Sequence, residues 1–160
     1  RLSPETVKDL GVVGPAARAA GVDCDTRRDH PHLAYSQTQF EVVVGEAGDV
    51  MDRFKVRIGE ALESFKIVAQ LLKAMPEGEI KTDVGEIMPY QSGLGYVESP
   101  RGQVIHYLVS GPGNTVYRYM IRSASYTNWP AVPLAVQGNI VPDFPLINKS
   151  FELCYSCLDR

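Results

Sequence analysis

This 160-residue chain has no apolar run near the eighteen or so residues a membrane-spanning helix needs, and no stretch resembling a secretory leader. It has no basic run. Arg27-Arg28 is followed at once by Asp29, and the formal net charge of -3 gives no electrostatic case for nucleic acid or an anionic membrane surface. Internal repeats and low-complexity segments are absent, so repeat arrays and disordered tails drop out. Cysteine is scarce and odd in number: the three are Cys24, Cys154 and Cys157. That spacing is no disulfide framework, and it points to a reducing compartment. The first residue is Arg1 rather than methionine, which reads as a processed product or an excised piece.

Apolar residues at 44% and charged residues at 22% are ordinary for a folded chain, and the length suits one hydrophobic core or part of a larger one. Ser3-Pro4 and Gly14-Pro15 open two short helices, closed by Gly11 and Gly21. Residues 22–38 read as a polar loop. Phe40-Glu41-Val42-Val43-Val44 carries a β-branched strand signal. From Asp49, an N-cap residue, a long helix is predicted to about Met75, stopped by Pro76 and Gly78 and about 40 Å long. Phe54, Ile58, Ala61, Phe65, Val68 and Leu72 form its apolar stripe, with Arg53, Arg57, Glu60 and Glu63 off it. So long a helix in so small a chain predicts bundle packing, partly against partners.

The clearest β signal is Gln103–Val109 and Thr115–Ile121 around the turn Ser110-Gly111-Pro112-Gly113-Asn114, with Gly93–Val97 as a third strand. Short proline-bearing helices are predicted near 128–137 and 142–151, with Pro142 in the first turn of the second. The fold class is therefore α+β: part of a helical bundle with one long helix, plus a small antiparallel hairpin or sheet.

The most informative stretch is the end, Cys154-Tyr155-Ser156-Cys157-Leu158-Asp159-Arg160. Two thiols three residues apart can converge on one metal or close one disulfide. By themselves they leave three readings open: chance, a redox pair, or half of a zinc site completed by Cys24 and His30 or His32. A redox pair of the thioredoxin kind sits at a helix N-terminus, and no helix can follow Cys157 here.

The tail Ser150-Phe151-Glu152-Leu153-Cys154-Tyr155-Ser156-Cys157-Leu158-Asp159-Arg160 resembles the C-terminal end of nickel–iron hydrogenase large subunits. Glu98-Ser99-Pro100-Arg101-Gly102 is similar to that family's Glu-Ala-Pro-Arg-Gly turn, and Arg122–Asn128 to its segment lining the metals with a Ser or Thr. Asp25-Thr26-Arg27-Arg28-Asp29-His30-Pro31 resembles a stretch of the energy-converting, formate hydrogenlyase-type members. Those are homologous to the 49-kDa subunit of respiratory NADH:quinone oxidoreductase. Glu152-Leu153 replaces the usual Asp-Pro, removing a φ constraint before the thiols, and Ala124 stands where many relatives carry Pro.

The resemblance implies a single unit over 1–160, the C-terminal half of a large subunit whose N-terminal half, with the other Cys-x-x-Cys, is absent. It implies a nickel–iron centre carrying cyanide and carbon monoxide, with Cys154 on nickel and Cys157 bridging the two metals. Arg101 would be the catalytic residue over the metals, and Arg101 and Ser125 the donors to the diatomic ligands. It further implies reversible oxidation of H2, an iron–sulfur small subunit, membrane subunits, a maturation protease cutting near Arg160, and a cytoplasmic place on the inner face of the membrane. The half-site in this chain is expected to be inactive alone. The alternatives are a quinone-site subunit of an NADH:quinone oxidoreductase-type complex, and a non-catalytic zinc-binding module. Glu98 reads as either behind the site, facing solvent or paired with Arg101; His106 as packed or hydrogen-bonded on its strand; and the Arg27-Arg28-Asp29 cluster as a structural ion-pair network or as orienting the loop near the metals or a partner.

Overall fold

The computed structural model describes residues 1–159. Helix α1 (Pro4–Asp9) starts where the Ser3 hydroxyl accepts from Thr6 N at 3.2 Å, and Pro4 occupies the first turn, where no amide partner is needed. Helix α2 (Pro15–Ala19) is buried over its whole length. Inside the stretch read as a polar loop, Asp25 caps a one-turn helix, α3 (Thr26–Asp29), by accepting from Arg27 N at 2.9 Å, and Asp29 accepts in return from Asp25 N at 2.8 Å.

Helix α4 (Val50–Lys73) runs 24 residues, about 36 Å. Asp49 caps it, accepting from Asp52 N at 3.0 Å. The apolar stripe exists, but it faces away from the rest of the chain: Phe54 is 59% exposed and Phe65 70%. The inward face is Arg53, Val56, Glu60, Glu63 and Ile67, set against α2 and helix α7 (Phe144–Phe151). The reason lies in the opposing surface. Helix α2 is mostly alanine and carries Arg18, so it offers a shallow wall and a cation, which suit long acidic side chains rather than phenylalanines.

The strand expected at Phe40–Val44 does not form. The segment is extended but has no strand partner; side chains of α4 take that role. Gln39 N donates to Gln70 Oε1 at 2.8 Å, Gln70 Nε2 to Gln39 O at 2.7 Å, and Glu41 N to Glu63 Oε2 at 3.0 Å. Val43 sits where Gly59 has no side chain, 2.8 Å from the place a Cβ would take.

The sheet is antiparallel in the order β1 (Ser92–Ser99), β2 (Gly102–Ser110), β3 (Val116–Arg122). Ser99 pairs with Gly102, so Pro100 and Arg101 are the tip of the β1–β2 hairpin. The predicted β2–β3 hairpin is present, with a register irregularity at Val109/Ser110. Helices α5 (Ala124–Asn128) and α6 (Ala131–Val136) lead to α7, with Pro142 in a short 3-10 turn before it. The core lies where α1, α2, α6 and α7 meet, around Val7, Ala16, Ala17, Ala131, Ala135 and Phe151. Alanine lets these short helices approach closely. Among the described residues no helix is long and apolar enough to cross a membrane.

Candidate functional site

The hairpin tip is held from behind by a contact only glycine permits. A Cβ on Gly14 (φ +69°) would lie 2.4 Å from Gly102 Cα, and one on Gly102 (φ +125°) would lie 2.8 Å from Gly14 N. Asn128, 1% exposed, pins the same place. It accepts from Val13 N at 2.8 Å and donates to Val13 O at 3.0 Å and to Arg101 O at 3.2 Å. The Ser99 hydroxyl donates to Gly102 O at 2.7 Å across the turn.

The tail leaves α7 through Glu152, whose left-handed φ of 57° turns the chain toward this tip. Two guanidinium groups then hold consecutive carbonyls at the negative end of α7. Arg57 Nη2 donates to Phe151 O at 2.8 Å, and Arg101 Nε donates to Glu152 O. Arg57 Nη1 also reaches Pro100 O at 3.3 Å. Helix α5 fixes the thiol-bearing residues beyond this turn: Cys154 N donates to Ser125 Oγ at 3.1 Å, and Ser123 Oγ donates to Cys157 O at 2.8 Å. Tyr155 packs on Trp129, ring centroids 5.1 Å apart, and its hydroxyl accepts from Asn148 Nδ2 at 2.9 Å. These bonds stand in for the φ constraint that Leu153 does not supply.

The sulfurs are thus left for chemistry. Cys154 is half-buried and Cys157 exposed. The Cys154 thiol is pulled down to about 7, first by the hydrogen bond from Cys157 and then by the Ser156 hydroxyl, 3.1 Å away. Cys157 is pushed up by the proton it shares with Cys154, while the Arg101 charge opposes that rise. Of the two thiols Cys154 is therefore the easier to ionise, and the Arg101 charge acts on Cys157. Ser125 is 2% exposed and accepts from Cys154 N, which leaves its own hydroxyl proton to donate. The terminal nitrogens of Arg101 have no protein hydrogen bond among the described residues.

Behind the tip lies a buried charge network. Arg18, 1% exposed, donates to Glu60, to Glu98 Oε1 at 2.9 Å and to Cys24 O at 2.8 Å, with Asp25 Oδ2 at 3.7 Å. Burial works against its charge, but the three carboxylates outweigh it and raise its pKa. Burial also pushes Asp25 up, and the forked Arg27 bonds at 2.7 and 3.0 Å with the two arginine charges bring it below the usual carboxylate range. Glu60 is raised by its burial, against Arg18. Glu98 therefore belongs behind the site: it accepts from Thr26 N at 3.2 Å and does not pair with Arg101. Arg27 joins the network, whereas Arg28 pairs with Asp23 and Asp29 at the surface.

The zinc arrangement is not assembled. Cys24 packs against the core, His30 and His32 gather around Tyr96, and His106 hydrogen-bonds with Tyr119. Among the described residues no three His, Cys, Asp or Glu side chains are placed to hold a metal ion. The cut expected near Arg160 lies outside the described residues. Arg57, Ser123 and Asn128 carry no assigned role in the sequence reading. Ser123 and Asn128 lie within the Arg122–Asn128 segment singled out there, and Arg57 among the charged residues off the apolar stripe.

The family described as "Respiratory-chain NADH dehydrogenase, 49 Kd subunit" matches residues 1–94 and 82–160. Formate hydrogenlyase subunit 5 of Escherichia coli is 39% identical over 160 residues, all of this chain and 28% of that protein. The carbon monoxide-induced hydrogenase of Rhodospirillum rubrum is 36% identical over 99% of this chain and 44% of its own length. NADH-quinone oxidoreductase subunit 4 of Thermus thermophilus is 34% identical over 99% of this chain and 46% of its own length. The chain thus spans less than half the length of these relatives, and hydrogenases and quinone oxidoreductases match it at comparable identity. The sequence expectation of hydrogenase and 49-kDa kinship agrees with this. The chain belongs to the family of the 49-kDa subunit of respiratory-chain NADH dehydrogenase, whose relatives named here are parts of oxidoreductase assemblies, hydrogenases among them.

Proposed function

We propose that this chain is the C-terminal part of the catalytic subunit of a nickel–iron hydrogenase in a multisubunit complex at the inner face of a membrane. The observation that carries the reading is the terminal thiol pair, oriented through its backbone, with Arg101 bonded to the turn that leads into it and its charge acting on Cys157. Soft thiolates suit nickel and low-spin iron. The donor set fits half of the four-thiolate centre the resemblance asks for. Cys154 and Cys157 would hold the metals from this side, with the other two thiolates supplied by the N-terminal half. When bound, the metals supply the polarisation that splits H–H.

The chain's own residues do the rest of the local work. Arg101 holds a positive charge and unengaged donors at the metal face, suited to cyanide-like ligands and to stabilising an anion there. Ser125 offers a second donor while fixing Cys154. Residues 151–157 are oriented through their backbone, so metal loading needs little rearrangement of this segment. In this reading electrons pass to an iron–sulfur small subunit, membrane subunits anchor the complex, and a maturation protease trims the C-terminus. The 160-residue chain by itself is inactive.

The quinone-oxidoreductase relatives favour a second reading, a quinone-site subunit in which the thiols are structural. Metal analysis and H2-dependent dye reduction on the purified native complex separate the two. The hydrogenase reading expects nickel and iron together, both lost with activity in Cys154→Ser. A complex without nickel, in which Cys154→Ser leaves NADH:quinone activity intact, would establish the second reading instead. Stoichiometric zinc lost in that variant would establish a zinc module.

A further inference from the structure

We infer that Arg57 is a positioning residue that sets how the Arg101 turn meets the cysteine-bearing tail. Its guanidinium bonds to both: Nη1 to Pro100 O at 3.3 Å, just before Arg101, and Nη2 to Phe151 O at 2.8 Å, just before the tail turns at Glu152. No other side chain among the described residues is seen to bond to the backbone on both sides. The planar fork of arginine suits this, because its donors leave in fixed directions.

The network behind explains why Arg57 is available. Its natural partner would be Glu60, one turn along the same helix. Arg18 takes Glu60 instead, and the Lys149 ammonium, at 3.0 Å, takes Glu152. Arg57 makes no ion pair among those found, its Nε is buried without a partner, and burial pushes its pKa down. A half-buried cation without a direct ion pair is costly to keep, although the Glu152 and Glu60 charges offset part of that cost. Here it is kept where two carbonyls, one at the negative end of α7, receive it. Arg101 then closes the contact by donating to the next carbonyl, Glu152 O.

The functional consequence rests on the hydrogenase reading, but the contact does not. The direct readout is exchange of the Arg101 Nε proton with water, followed by nitrogen-15 NMR on the metal-free chain. Arg57→Met is expected to speed that exchange about tenfold, the loss of roughly one charge-assisted hydrogen bond. Arg57→Lys, which keeps the charge but reaches one carbonyl at a time, recovers part of it, and carries the test if Arg57→Met does not fold. Ser110→Ala, at the far end of β2 from the turn, where it loses the bonds to Gln91 N and Met88 O, lowers the melting temperature but leaves the exchange unchanged. Wild-type exchange in Arg57→Lys, or an equal rise in Ser110→Ala, overturns the inference. In the native complex, Arg57→Lys is expected to lower hydrogen turnover several-fold at unchanged KM. If the unmodified complex shows no hydrogen turnover, the hydrogenase reading falls and the positioning role stands on the exchange data.

Discussion

Replacing Arg18 by methionine tests the network that holds the hairpin tip. Methionine keeps most of the volume and removes the charge. The side chains concerned are almost wholly enclosed: Arg18 and Asp25 are each 1% exposed, Glu98 5% and Glu60 16%. Breaking a buried ion pair from one side costs about 3–5 kcal/mol. The lower end applies here, because Asp25 keeps Arg27, Glu98 keeps the Thr26 amide, and Glu60 retains some contact with water. A loss of about 3 kcal/mol corresponds to roughly 6–12 °C in Tm for a chain of this size. The sign of the pH dependence is more diagnostic. In the native protein Asp25 is held below its unfolded value, so its stabilisation is present above that value and is lost as pH falls through the lower folded one. Burial already holds Glu60 above its unfolded value against the pull of Arg18, and removing Arg18 raises it further, so the variant gains stability as pH falls through that raised value. The deficit should therefore narrow from pH 8 to pH 5. Urea unfolding followed by the fluorescence of Trp129, the single tryptophan, reads both quantities. A loss under about 1 kcal/mol, or a deficit independent of pH, would refute the reasoning, since either means the carboxylates are solvated without Arg18.

Gly14→Ala should cost about 3 kcal/mol or more and displace the hairpin tip, because its Cβ would collide with Gly102 backbone at a positive φ; thermal unfolding checks the first and Arg101 amide exchange the second. Ser125→Ala should cost about 1 kcal/mol and speed exchange of the Cys154 amide, which loses its acceptor; unchanged exchange would contradict the assigned bond. The two faces of α4 should behave oppositely in this chain. Val56→Ala, buried, is expected to cost about 2 kcal/mol, whereas Phe65→Ser, removing a larger side chain from an open face, should stay within about 0.5 kcal/mol in urea unfolding.

Local chemistry was legible wherever it acts over a few residues. Ser3, Asp49 and Pro4 mark helix starts because a side-chain oxygen or a missing amide satisfies the first turn regardless of what packs on it. The β2–β3 hairpin was legible because its turn and its strands are adjacent in the chain. Phe40–Val44 misled because β-branched composition reports a preference for extended backbone, not the presence of a partner strand. The stripe on α4 was found correctly, but which face would meet this chain depended on α2, thirty-odd residues away in sequence.

By itself the sequence determined the spacing of the two thiols, the Pro-Arg-Gly turn, the helix starts and the family. Only the tertiary structure decided that turn and tail meet, that Glu98 lies behind them and that Arg57 bridges them. The physical reason is separation. Arg57, Arg101, Asn128 and Glu152 act through backbone carbonyls, which every residue carries, and a carbonyl leaves no trace in sequence of which distant donor it will accept.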